Sequence, residues 1–178
     1  MVPARREARI HDRPVGELRR RLRHMVIENL RRIHHIGITV RDVGRSVEFW
    51  RSFLGIEERW RQVLGAPYLG RVTGYPGVSI DVAIIDLPGG AVLEILDYQV
   101  DGKNPNPPET ANPGNVHICI EVDDIEEMWD RAIRSGATPI SPGPVEVTAG
   151  PNTGVKACYL RDPDGITLEL FKPVVAVR

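Results

Sequence analysis

The chain is poor in cysteine, poor in aromatic side chains and free of long apolar runs. Its two cysteines, Cys119 and Cys158, make neither a disulfide framework nor a Cys-x-x-Cys metal motif, and they suit a reducing compartment. No stretch approaches the roughly 20 apolar residues of a membrane-spanning helix, and the N-terminus lacks the apolar core of a secretory signal. The cytoplasm is therefore the expected location. Net charge is also scarce, at a formal −1 over 178 residues. That balance hides an asymmetry: residues 1–32 carry ten Arg against four acids, a local +6, and the remainder sums to −7. An acidic body suits cation capture better than nucleic-acid binding, so neither nucleic acid nor membrane is expected as a partner.

What the sequence does have is a repeat. His35-Ile-Gly-Ile-Thr-Val-Arg-Asp42 is echoed by His117-Ile-Cys-Ile-Glu-Val-Asp-Asp124, and Val-Leu-Glu94-Ile-Leu is echoed by Thr-Leu-Glu169-Leu-Phe. The His-to-Glu separation is 59 residues in the first copy and 52 in the second, so the copies have drifted only in their middles. Two imidazoles and two carboxylates at equivalent positions form a donor set for one divalent cation. A lone strand histidine is more often a hydrogen-bonded structural residue, and a lone strand glutamate usually faces water. Four coincident repeat positions favour the metal reading: His35, Glu94, His117 and Glu169.

Residues 1–32 stand apart from the repeat. Val15, Leu18, Leu22, Met25 or Val26, and Leu30 recur at helical spacing after Pro14 and Asp12, with Arg on the other faces. The stripe is narrow and has no aromatic anchor, so a helix packing on the body or across a dimer is expected rather than a membrane or nucleic-acid arm. The body, residues 33–173, reads as one domain of two modules, 33–100 and 115–173, joined by the proline-rich linker 101–114.

Each module reads β-α-β-β-β. The first has a strand at 33–40 and a helix from Asp42 to Gly55, then strand-like material at 56–66, about 70–75, 78–86 and 91–98. The second has a strand at 115–122, a helix at about 125–135 and strands near 137–140, 144–148, 155–161 and 166–172. The expected fold is α+β: two tandem β-α-β-β-β modules forming a curved mixed sheet around a central metal cleft, plus the N-terminal helix. Strand alternation places His35, Gly37 and Thr39 on one face and Ile36, Ile38 and Val40 on the helix-facing side. That alternation prefers His35 over its neighbour His34 as the ligand. Trp50 is expected in the core. Cys119 shares the face of His117, where a soft thiolate can approach a metal, but is expected as a small buried apolar filler. Trp60, Tyr68, Tyr75 and Tyr98 are undecided between cavity and core. The glycine-rich loop 149–154 has no helix after it and is no phosphate cradle.

The His-Ile-x-Ile-x-Val-x-Asp runs, the Ser-x-x-Phe-Trp helix ending in Leu-Gly, and the Asp-Pro-Asp-Gly-x-x-x-Glu-Leu tail resemble the vicinal oxygen chelate superfamily. That superfamily includes glyoxalase I, methylmalonyl-CoA epimerase, extradiol dioxygenases and the bleomycin- and fosfomycin-resistance proteins. The resemblance covers residues 33–173. It implies metal ligands at His35, Glu94, His117 and Glu169, with Glu169 also serving as base and Glu94 as its pseudosymmetric partner. It further implies one divalent metal (Zn, Ni, Co, Mn or Fe), a small substrate with two adjacent oxygens, and a homodimer. The activity implied is that of a glyoxalase-like lyase or an isomerase or epimerase. A non-haem Fe(II) extradiol-type dioxygenase using His35, His117 and Glu169 is the alternative, followed by a ligand-binding resistance protein without catalysis.

Overall fold

A computed structural model of the chain describes residues 30–103 and 109–174. The helix expected in the arginine-rich segment, and Pro105, Pro107 and Pro108 of the linker, lie outside the described residues.

The body carries the α+β repeat in two sheets. Module one contributes strands β1 (Ile36–Thr39), β2 (Glu58–Leu64), β3 (Ser79–Asp86) and β4 (Val92–Gln99), with helices α1 (Val43–Leu54) and α2 (Tyr68–Thr73). Module two contributes β5 (His117–Glu121), helix α3 (Ile125–Arg134), β6 (Thr138–Pro139), β7 (Val145–Glu146), β8 (Lys156–Arg161) and β9 (Thr167–Lys172). The strand orders are β1-β4-β3-β2 and β5-β9-β8-β6, with β7 also paired to β8. In both sheets the first strand runs parallel to the last, and every other pairing is antiparallel. The second module's middle strands are only two residues long, because Pro139, Pro142 and Pro144 remove the N–H donors a longer ladder needs.

Both main helices start where the sequence supplies a cap. The Asp42 carboxylate accepts from Arg45 N at 2.7 Å, and the Asp124 carboxylate accepts from Glu127 N at 3.0 Å. Helix α1 ends at Gly55, whose φ of 72° is a left-handed closure that glycine adopts without steric cost. Its inward stripe, Val43, Val47, Phe49, Trp50 and Phe53, is buried, as expected for Trp50. Burying each of these large side chains contributes roughly 1.5–3 kcal/mol.

Segment 70–75, expected as a strand, is instead covered largely by α2. The helix is closed by Gly74 at φ 80°, and its Leu69 side chain joins a second apolar cluster with Val78, Ile80 and Val82. Tertiary packing of one leucine overrides the weak helix propensity of Gly70, Val72 and Thr73.

Among the described residues no ladder joins the two sheets, so the strands form two mixed sheets rather than one hydrogen-bonded surface. A shared core joins the modules instead. Ile38, Val40, Trp50 and Phe53 from module one belong to the same buried cluster as Ile118, Val122, Ile125 and Ala132 from module two. Polar contacts reinforce it: Arg41 donates from its backbone N and its Nε to Asp164 Oδ1, each at 3.0 Å, and Arg131 Nε donates to the Ser52 carbonyl.

Candidate metal centre

Register decides what each module presents on its open face. In module one Gly37 pairs with Glu94 across β1 and β4, and Glu94 pairs with Ile84 across β4 and β3. In module two Cys119 pairs with Glu169, and Glu169 pairs with Tyr159. The two glutamates therefore hold the same place, each on the strand parallel to its module's first strand. Along β4 the alternation is clean: Leu93, Ile95 and Asp97 are buried, and Glu94, Leu96 and Tyr98 look the other way, half-buried.

The histidines come to those carboxylates. His35 Nε2 lies 3.1 Å from Glu94 Oε2, and His117 Nε2 lies 3.0 Å from Glu169 Oε2. The same nitrogen meets the same carboxylate position in both copies. All four side chains are open to water in part, at 38% and 25% exposure in the first pair and 44% and 17% in the second. His35 sits one residue before β1, so its ring lies at the strand's mouth rather than within it.

The structure thus brings the four residues together two and two. Among the described residues no three His, Cys, Asp or Glu side chains are gathered closely enough to hold a metal ion. Each pair offers one imidazole nitrogen and one carboxylate oxygen within 3.1 Å, a donor chemistry that suits borderline divalent cations. Each fits such an ion as half of a site. A four-ligand centre needs the two halves to approach.

Three neighbours surround the pairs: Tyr159, which escaped the sequence reading, Cys119, expected as a filler on the His117 face, and His34, expected as a structural or rim residue. Tyr159 meets the His117 ring in a T-shaped contact with centroids 5.5 Å apart, and its phenol is held above the ordinary tyrosine range by burial and by the Glu169 charge. The signal for it was present: counting outward from the Asp-Pro-Asp-Gly turn pairs residue 159 with residue 169. Cys119 is exposed rather than a buried filler, because its face of β5 is the open one. Its thiol is pushed up to about 11, first by desolvation and then by the Glu169 carboxylate. His34, assigned to the far face, bonds directly to His35: the two Nδ1 atoms are 2.8 Å apart. Of the aromatic residues, Trp60, Tyr68 and Tyr75 are exposed, while Tyr98 packs against the second apolar cluster and meets the Tyr75 ring edge-on.

The profile of the Glyoxalase/Bleomycin resistance protein/Dioxygenase superfamily matches residues 32–170. The chain belongs to that superfamily. This vicinal oxygen chelate member is 25% identical over 142 residues to a 2-epi-5-epi-valiolone epimerase from Actinomyces sp., a match spanning 78% of each chain. It is 32% identical over 143 residues to the uncharacterized protein YwbC of Bacillus subtilis, covering 80% of this chain and 98% of that one. A glyoxalase family protein from Bacillus cereus shares its fold with a TM-score of 0.69 at 23% identity, covering 84% of this chain and 99% of the other. Among the described residues no helix is long and apolar enough to cross a membrane.

Proposed function

We propose that this superfamily member is a divalent-metal-dependent isomerase or epimerase that moves a proton next to a carbonyl of a small molecule. Glyoxalase-like lyase chemistry shares that step. The observation that carries the reading is the duplicated His–Glu pair, His35 with Glu94 and His117 with Glu169, each within 3.1 Å. The relative named as an epimerase supports the same reaction class. A bound Zn, Ni, Co, Mn or Fe(II) ion would act as a Lewis acid on adjacent substrate oxygens.

The chain's own residues then divide the work. His35 and His117 turn Nε2 toward Glu94 and Glu169, and with them would hold the ion. Glu169 removes and returns the proton, because its surroundings are protic and partly dry: the Tyr159 ring and the Cys119 thiol flank it. Glu94 is flanked by Ile84 and Gly37, which offer no exchangeable proton on their side chains, so it serves chiefly as a ligand. Glu94 repeats the geometry of Glu169, which leaves it no surplus residue of the kind a two-His, one-carboxylate oxygenase would carry. As in other members of the family, the working form is taken to be a homodimer.

The test is metal reconstitution followed by a screen of dicarbonyls, acyl thioesters, polyol ketones and catechols in deuterated water. Deuterium entering the carbon beside a carbonyl, lost in Glu169→Gln, is the expected result. Oxygen uptake with ring opening of a catechol would overturn it in favour of the dioxygenase, and failure to bind any divalent ion would leave a ligand-binding protein.

A further inference from the structure

A bond between two imidazole nitrogens requires one to carry a hydrogen and the other to be bare. His34 and His35 make such a bond, Nδ1 to Nδ1 at 2.8 Å, with their rings at 85° and centroids 5.1 Å apart. On its other side His35 Nε2 faces Glu94 Oε2 at 3.1 Å. An ionised carboxylate only accepts, so Nε2 carries the hydrogen there. In neutral His35, Nδ1 is then bare and accepts from His34 Nδ1–H. A cation on Nε2 demands the opposite tautomer, with Nε2 bare and the hydrogen on Nδ1.

We propose that His34 is a positioning residue that carries His35 between these two tautomers. It donates to His35 Nδ1 while the Nε2–H bonds Glu94, and accepts from His35 Nδ1–H once Nε2 holds a cation. This rests on the reading of His35 and Glu94 as part of a metal site. The hydrogens balance. The Nε2 proton of His35 leaves to water, the hydrogen between the rings crosses from His34 to His35, and the exposed His34 ring gains one from water at its own Nε2. The pair holds two hydrogens before and after. A hydrogen bond to the second nitrogen is the usual means of fixing a ligand imidazole, and here an imidazole supplies it in both senses. His117 differs, because its ring packs against the Tyr159 edge. The first half-site therefore has an adjustable partner that can act as donor or acceptor, while the second has an aromatic wall.

The test uses the full chain labelled with nitrogen-15 histidine and two-bond proton–nitrogen spectra, which distinguish Nδ1–H from Nε2–H imidazole. In the wild type without cation, His35 is expected as the Nε2–H form, and zinc chloride is expected to convert it to Nδ1–H. His34→Ala is expected to leave the cation-free Nε2–H form in place, because Glu94 still holds it, to move the zinc-bound His35 Nδ1–H proton upfield as its acceptor is lost, and to weaken zinc binding roughly tenfold or more. His34→Gln, whose amide both donates and accepts, is expected to restore the zinc-bound proton shift and the affinity. A zinc-bound His35 Nδ1–H shift and a zinc affinity identical in the wild type and His34→Ala would overturn the positioning role. Zinc shifting His117 but not His35 would overturn the switch alone. Zinc shifting neither histidine would overturn the metal reading and the switch with it.

Discussion

At the scale of single residues, the buried Asp-Pro-Asp-Gly turn shows how one carboxylate is held at a cost. Asp162 is 2% exposed; its Oδ1 accepts from Asp164 N and Ile166 N, each at 2.8 Å, and its Oδ2 finds no partner. Burial pushes the Asp162 carboxyl up to about 6, the two backbone donors oppose that rise, and the neighbouring Asp164 adds to it. The folded chain therefore holds a proton there that the unfolded chain has released, in the window from about pH 4 to pH 6. Stability from this residue falls as pH rises through that window, by about 3 kcal/mol at most for a shift of this size. Asp162→Asn keeps an oxygen for both N–H groups and removes the charge. In urea melts its stability relative to wild type is expected to improve steadily from pH 4 to above 6 and then level off. A difference that stays constant over the window would show that the Asp162 charge is not penalised. That each histidine shares a face with a glutamate was legible at this scale, because strand alternation needs only parity. Tyr159 was not found, because it requires counting across a hairpin, and neither was the bond between His34 and His35, because it joins sequence neighbours that alternation sends apart.

At the scale of elements, the β-α-β-β-β order of both modules was readable from apolar alternation bounded by glycine and from two aspartate caps. Helix α2 was not, since its glycine and β-branched residues disfavour a helix and only its docking makes one. Leu69 holds it by inserting among Val78, Ile80 and Val82, with Leu64, Leu96 and Tyr98 around them. Gly70 lets the returning chain pass: a side chain there would meet the Pro76 Cα and the Tyr75 carbonyl oxygen at 3.0 Å, both backbone atoms that cannot swing aside. Leu69→Ala is expected to cost about 2–4 kcal/mol in chemical denaturation. Gly70→Ala, which should raise helix propensity, is expected to destabilise the protein instead, and a neutral or stabilising result would mean that α2 is not seated as described. Both changes leave the His–Glu pairs in place, so nitrogen-15 histidine spectra of the variants are expected to match the wild type.

At the scale of the whole molecule, the question is how two half-sites relate to one function. The modules are tied by a common apolar core and by Arg41 and Arg45 reaching the buried Asp164, rather than by a continuous sheet. Among the described residues no ladder runs from one open face, with its His–Glu pair, to the other. The repeat predicted four donors, and their placement at equivalent register positions follows from it. Their assembly into one group did not, because a sequence repeat specifies each module's register but not the distance between modules. Cation binding decides the matter. If the pairs close on one ion, titration with zinc or manganese saturates at one per chain. The thermal midpoint then climbs with cation concentration, the gain reaching about 2.7 kcal/mol at a hundredfold excess over the dissociation constant. Glu94→Gln and Glu169→Gln each remove most of that gain, and the double variant loses little more, because both act on the same ion. If each pair binds alone, saturation comes at two per chain and the losses add. The expected outcome is one ion and non-additive losses, since two partly exposed donors make a poor site and four make a good one.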